Sequence, residues 1–142
     1  MKRYAAAVLL DGNSVLLARR TNTRSSYPGI WDFVGGHCES NETFEEALER
    51  ELEEEIGVKP TKQVLLMVVD ESPDFLLKLF LVTKWDGEVS NKDLLEHERV
   101  QWFDLHEAKQ LEFMNSEYLR ALKLVEQFCG NCLPGWHICP FS

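Results

Sequence analysis

The stretch Gly36–Val58 reads GHCESNETFEEALERELEEEIGV, and its glutamates guide the interpretation of the whole chain. Glu51, Glu54 and Glu55 are spaced i, i+3 and i+4, so a helix would place them on one face. Like charges gathered there repel each other, and a divalent cation between them would remove that repulsion. Mg²⁺ and Mn²⁺ bind carboxylate oxygens, and they often keep waters and bind substrate phosphates as well. The spacing therefore predicts a metal platform suited to hydrolysing a phosphate anhydride.

The helix that carries these carboxylates is predicted over Thr43–Ile56. Thr43 and Glu46 have the spacing of a capping box, and Gly57 is placed to end the helix in the left-handed conformation. Glu55 projects onto the apolar face, where a carboxylate is costly to bury unless it is paired or bound to a metal. That face is formed by Phe44, Leu48 and Leu52.

The same stretch resembles the Nudix box, G-x5-E-x7-R-E-U-x-E-E-x-G-U, at every fixed position, with Leu52 and Val58 as the aliphatic U residues. The resemblance covers roughly residues 3 to 128 and is greatest to the MutT-type branch, which hydrolyses nucleoside triphosphates to monophosphate and pyrophosphate. It implies an α/β fold, an α/β/α sandwich with a mixed central sheet, and Mg²⁺ or Mn²⁺ as the cofactor.

The resemblance also implies roles for individual residues. The carbonyl of Gly35 becomes a metal ligand together with the three glutamates, and Arg50 orients a catalytic glutamate. Glu51 is then a candidate general base, with Glu54 beside it. Glu96 would add a further catalytic and metal-binding carboxylate from a loop, although a solvated loop charge is an equal alternative.

Substrate contacts are predicted on both sides of the box. Arg19 or Arg20 resembles the arginine that meets the nucleotide in MutT-type enzymes. Asn115 stands where that branch reads an oxidised guanine, because an amide both donates and accepts hydrogen bonds, but it is equally suited to cap a helix. Phe33 could stack on a base or fill the core.

Composition limits the class of protein. A chain of 142 residues fits one domain, which we assign to residues 1–128. The net charge of -9 argues against a nucleic-acid duplex as partner, whereas a small nucleotide can be accommodated with metal ions. We expect a cytoplasmic protein without a membrane partner, and the oligomeric state stays open.

Further elements follow from the local patterns. Residues 4–10 and 15–19 flank Asp11-Gly12 and predict a hairpin. Residues 30–34 predict a short strand, followed by a tight turn at Gly35-Gly36. Two apolar runs, residues 63–70 and 75–84, predict strands, and a loop is expected over residues 91–98. A final helix reaching Phe128 is predicted with Leu119, Leu122, Val125 and Phe128 as its buried stripe.

The C-terminal residues 129–142 are expected to pack on the same domain. Cys129, Cys132, His137 and Cys139 could bind zinc, form a disulfide or remain reduced thiols. Cys38, beside the start of the box, is expected to be packed and inert.

Three functions are thus compared. The favoured one is hydrolysis of a nucleoside triphosphate, including oxidised forms such as 8-oxo-dGTP. The second is hydrolysis of ADP-ribose, to which Pro73 adds a weak indication, and the third is nucleotide sensing without turnover.

Overall fold

A mixed β-sheet with helices on both faces organises the protein, as seen in a computed structural model. The structure describes residues 1–21, 30–94, 97–111, 113 and 117–130, with side chains described as far as Phe128. The elements in chain order are β1 (Lys2–Asp11), β2 (Ser14–Arg20), β3 (Trp31–Asp32), β4 (Val34–His37), α1 (Phe44–Ile56), β5 (Lys59–Ser72), β6 (Phe75–Asp86), β7 (His97–Asp104), α2 (Leu105–Ala108) and α3 (Glu117–Gly130).

Strand β1 is the centre of the sheet. It runs parallel to β6 and antiparallel to β2 and β4. Strand β5 pairs antiparallel with β6, and β2 pairs antiparallel with β3 and β7. Both pairing types therefore occur in one sheet, and the predicted mixed sheet is confirmed.

Alternate residues of β1 enter two different cores. Ala6, Val8 and Leu10 face the layer that contains α2 and α3. Ala5, Ala7 and Leu9 face α1. A strand covered on both sides reads as a continuous apolar run, which is why residues 5–10 show no polar alternation. The predicted α/β/α sandwich is confirmed by these two cores.

The first hairpin forms as predicted, with Leu10 opposite Val15 and Gly12 at φ +62°. Helix α1 also begins and ends as predicted. The Thr43 hydroxyl accepts from the Glu46 backbone, the Glu46 side chain returns to the Thr43 backbone, and Gly57 ends the helix at φ +74°.

The prediction for residues 30–36 is wrong in its details. Two strands, β3 and β4, replace the single strand, and Gly35 and Gly36 lie inside β4 instead of forming a tight turn. Glycine is needed there because other atoms approach closely. A Cβ on Gly35 would lie 2.2 Å from the Ala5 carbonyl oxygen, and one on Gly36 would lie 2.5 Å from the Glu51 carboxyl carbon.

Two further predictions need correction. The expected stripe of α3 is wrong at Leu119, which is 36% exposed, whereas Tyr118 and Ala121 are buried with Leu122 and Val125. The loop expected over residues 91–98 ends earlier, because β7 already begins at His97. Asn115, Glu96 and the segment 131–142 lie outside the described residues.

Within the described ranges, no helix is long and apolar enough to span a membrane.

Candidate active site

Helix α1 presents the three predicted carboxylates at graded depths. Leu48 and Leu52 anchor the helix on the sheet with no exposed surface. The exposed fraction of the side chain is 60% for Glu54, 15% for Glu51 and 6% for Glu55. One helix therefore offers acidic groups from solvent down to the edge of the core.

Arg50 connects the carboxylates at the exposed side of this surface. Its Nε and Nη2 each donate to one oxygen of Glu42 at 2.8 Å, which is a two-pronged contact. Its Nη1 donates to Glu51 at 2.8 Å and to Glu54 at 3.4 Å, while Nη2 also reaches the His37 carbonyl at 3.1 Å. Arg50 thus brings Glu51 and Glu54 together and fixes them relative to the loop before the helix.

That loop is itself held in place. Arg3 donates to the Glu42 carbonyl at 3.0 Å and to the Glu39 carbonyl at 2.9 Å. The Arg50 guanidinium, together with the Glu39 backbone N–H, lowers the pKa of Glu42 to about 2. In return, the hydrogen bond to Glu42 raises the already high pKa of Arg50. The ion pair between Arg50 and Glu42 therefore stays ionised throughout the pH range in which proteins work.

Gly36 gives Glu51 its place. The Glu51 carboxyl group fills the space where a side chain on Gly36 would be, with both oxygens within 2.7 Å of an ideal Cβ. Only glycine lets β4 and α1 approach this closely with a carboxylate between them. Gly36 therefore leaves the space in which the Glu51 carboxylate lies.

Glu55 is buried and paired with His97. Its Oε1 lies 2.6 Å from the His97 Nε2, and both side chains are 6% exposed. The cost of burying a carboxylate on the leucine face is offset by this contact. The contact with the imidazole limits the directions in which the Glu55 carboxylate can face a metal.

A second buried polar cluster lies beside the aromatic end of the core. The Asp32 carboxylate lies 3.5 Å from Arg20, and its Oδ1 is enclosed with no hydrogen-bond partner among the described residues. Burial raises the pKa of Asp32 to about 6, against the lowering effects of a hydrogen bond from Tyr118 and the charges of Arg20 and His97. This carboxyl group changes its protonation state close to neutral pH.

The residues predicted to bind substrate differ in how accessible they are to a ligand. The side chain of Arg19 is 32% exposed and pairs with Glu98 at 3.5 Å, so it can be reached by a ligand. Arg20 is 6% exposed and faces Asp32. The Phe33 ring is 3% exposed and packs 4.6 Å from Tyr118, which is the core position that the sequence left open.

The donor set fits a hard divalent cation. Glu51, Glu54 and Glu55 supply only oxygens, and Arg50 already holds the first two close together. Among the described residues, no three histidine, cysteine, aspartate or glutamate side chains lie close enough together to hold a metal ion by themselves. Mg²⁺ is commonly bound by one or two carboxylates with waters and substrate phosphates, so an open set is compatible with it.

Sequence reasoning missed His97 and Asp32. Glu55 on an apolar face already required a partner, and His97 directly follows the predicted loop ligand. Asp32 stands between Trp31 and Phe33, where a polar residue in an apolar run indicates a buried contact. Cys38 is packed as expected, at 3% exposure, and burial raises the pKa of its thiol.

Solved structures provide the first comparison with known proteins. The fold superposes on a MutT structure from work on Aliivibrio salmonicida and Vibrio cholerae with a TM-score of 0.76 and 24% identity, covering 89% of this chain and 98% of that one. A MutT Nudix hydrolase from Burkholderia pseudomallei gives a TM-score of 0.74 and 28% identity over 87% of this chain and 97% of that one. The arrangement of strands and helices is therefore that of MutT structures.

Curated relatives agree with the fold. An 8-oxo-dGTP diphosphatase from Proteus vulgaris is 46% identical over 92 residues, 62% of this chain and 81% of that protein. An ADP-ribose pyrophosphatase from Methanocaldococcus jannaschii is 31% identical over 125 residues, 80% of this chain and 71% of that protein. The model of the NUDIX domain matches residues 1–125. With the signature intact on α1 and the fold matched across this length, the chain belongs to the Nudix family of hydrolases.

Proposed function

We propose that this protein is a pyrophosphohydrolase that converts a nucleoside triphosphate to monophosphate and pyrophosphate, using Mg²⁺ or Mn²⁺. An oxidised purine nucleotide such as 8-oxo-dGTP is the favoured substrate. The observation that carries the proposal is the pair of hydrogen bonds from Arg50 that brings Glu51 and Glu54 together on one face of α1. The similarity to proteins named 8-oxo-dGTP diphosphatase supports the substrate class.

The cation would be held by carboxylate and carbonyl oxygens, and when bound it offsets phosphate charge and makes a bound water more acidic. The proposed ligands are the Gly35 carbonyl, Glu51, Glu54, Glu55 and Glu96. Within this set, Glu51 has the fixed position that a general base needs to accept a proton from the attacking water. Arg50 determines which way its carboxylate points, so Arg50 acts by orientation and not by contact with the water.

Substrate binding is proposed at the end of β2. Arg19 is accessible and can donate to the phosphate or base of a nucleotide, whereas Arg20 is engaged with Asp32 in the interior. Asn115 remains a proposed base contact, and Phe33 is proposed to support the base-binding region from the core. A cytoplasmic location goes with this proposal, because nucleoside triphosphates are made and used there.

The test is a substrate screen with product identification. Purified protein is assayed with Mg²⁺ or Mn²⁺ against 8-oxo-dGTP, the common nucleoside triphosphates and ADP-ribose, in parallel with Glu54→Gln. Glu53→Gln is the matched control, since Glu53 is an exposed neighbour on the same helix at a variable position of the signature. We expect pyrophosphate release by the native protein and the control but not by Glu54→Gln. Equal rates for Glu54→Gln and Glu53→Gln would contradict the proposal.

ADP-ribose is the second candidate substrate. It is favoured by the similarity to the Methanocaldococcus jannaschii protein, which extends over 125 residues. Both reactions would use the same carboxylates, so only comparative rates separate them. A higher kcat/KM for ADP-ribose, with AMP and ribose phosphate as products, would replace the triphosphate assignment.

A non-catalytic, nucleotide-sensing role is a third possibility in principle. The intact set of Arg50, Glu51, Glu54 and Glu55 argues against it, because a sensor has no need of a base held in position. Ligand binding without turnover, identical in the native protein and Glu54→Gln, would favour sensing.

A further inference from the structure

Two residues outside α1 contact Glu55: Lys92, which follows β6, and His97, the first residue of β7. The His97 imidazole contacts its carboxylate at 2.6 Å, and the Lys92 backbone N–H donates to its carbonyl at 2.8 Å. The next residue of α1, Ile56, accepts a hydrogen bond from the Ser90 backbone at 3.1 Å. Side chain and main chain at the end of α1 are therefore held by Ser90, Lys92 and His97, which lie outside the Nudix signature.

His97 is itself held in place by two residues that precede it. The His97 backbone N–H donates to the Asp93 carbonyl at 2.9 Å, and its carbonyl accepts from the Asn91 side chain at 2.8 Å. Its ring is 5% exposed and enters the interior from the first position of β7. The imidazole thus has little freedom to move away from Glu55.

We propose that His97 is a positioning residue that fixes the carboxylate of Glu55 for metal binding. A carboxylate held by a buried imidazole cannot rotate freely, so it keeps one orientation. Partners of this kind behind a metal ligand commonly change metal affinity or activity by about 10-fold to 100-fold when they are removed. The inference rests on the proposed function, since it takes Glu55 as a metal ligand.

The role of His97 differs from that of Arg50. Arg50 orders the two carboxylates nearer to solvent, whereas His97 of β7 orders the deepest one. The three acidic residues are therefore each held by a partner outside the acidic triplet, and metal affinity depends on both partners. His97 is buried against Glu55, so its removal should affect the metal more than the nucleotide.

A pair of amide variants tests this proposal. In His97→Gln the amide nitrogen can occupy roughly the place of Nε2 and still donate to Glu55. In His97→Asn the side chain is one methylene shorter and does not reach. Both keep a polar group at the site, which limits differences in folding, and circular dichroism with thermal unfolding verifies that each variant is folded. His106→Gln, at an exposed histidine of α2, controls for loss of an imidazole.

The decisive measurement is Mn²⁺ binding to the free protein, followed by electron paramagnetic resonance of the unbound ion. We expect His97→Asn to weaken Mn²⁺ binding by about 10-fold or more, and His97→Gln to stay near the native value. In activity assays, the Mg²⁺ concentration for half-maximal rate should rise for His97→Asn, while KM for the nucleotide at saturating Mg²⁺ stays close to native.

The outcomes separate the two proposals. Equal Mn²⁺ affinity in folded His97→Gln and His97→Asn, both like the native protein, would overturn the role of His97 and leave the proposed function standing. A native protein that binds no Mn²⁺ and hydrolyses no nucleotide would overturn the proposed function, and the role of His97 with it.

Discussion

Replacing Asp32 by asparagine should stabilise the protein at neutral pH and change how its stability varies with pH. Burial of the Asp32 carboxyl raises its pKa from 3.8 to about 6. Between pH 3.8 and about 6 the folded state therefore keeps the proton while the unfolded chain is ionised, and at neutral pH the folded protein carries the cost of an ionised carboxylate in the interior. Asparagine resembles the protonated form and carries no proton to lose.

The direction and size follow from proton linkage. An acid whose pKa is raised on folding contributes stability that is complete below pH 3.8 and is lost as the pH rises through about 6. The whole effect is about 3 kcal/mol, at roughly 1.4 kcal/mol for each pKa unit. Of this, roughly 1.4 kcal/mol falls between about pH 5 and pH 8, where measurement is practical.

Urea unfolding followed by tryptophan fluorescence, at intervals from about pH 5 to pH 8, measures the free energy of unfolding. The native protein should lose stability relative to Asp32→Asn as the pH rises. Asp11→Asn, at an exposed position of the first hairpin, controls for removing one negative charge. Tyr118→Phe removes a hydrogen bond that lowers the pKa of Asp32, so it should make the loss steeper. Parallel curves for the native protein and Asp32→Asn would refute the reasoning.

Three other substitutions test the site and its helix. Gly36→Ala would place a methyl group about 2.5 Å from the Glu51 carboxyl carbon, so kcat should fall while the fold persists; Gly35→Ala meets backbone instead and should lower the melting temperature. Arg50→Lys loses the two-pronged contact with Glu42, because lysine cannot donate two parallel hydrogen bonds to one carboxylate, and it should reduce kcat by about 10-fold or more. Unchanged kinetics would contradict the orienting role of Arg50. Thr43→Ala removes the capping box and should cost about 1 kcal/mol in urea unfolding with little change in kcat.

Much of the fold could be predicted because its signals are local. The capping box of α1, its closing Gly57 and the turn at Gly12 depend on a few neighbouring residues, and all three were confirmed. The error at Gly35 and Gly36 has a different origin. A glycine is permissive in a turn and also where chains approach closely, and only the three-dimensional packing distinguishes the two uses.

The site divides in the same way. The carboxylates of α1 share a face because of helix geometry, so their grouping was predictable from spacing. His97 and Glu55 are 42 positions apart in the chain, and Tyr118, which donates a hydrogen bond to Asp32, lies much further along the sequence. Contacts of that range depend on how the layers stack, which no local pattern specifies. The error at Leu119 is smaller, since a helix turned slightly about its axis buries Tyr118 in its place.

Because β1 contributes residues to both cores, it affects how the molecule unfolds. Neighbouring residues of this strand, such as Ala5 and Ala6, belong to opposite cores. Removing either helical layer would expose one face of β1 to water while its other face still packs against the remaining layer. Neither half then has a complete interior of its own, so denaturant should melt both together in a single transition, with α1 and α3 losing amide protection at the same rate.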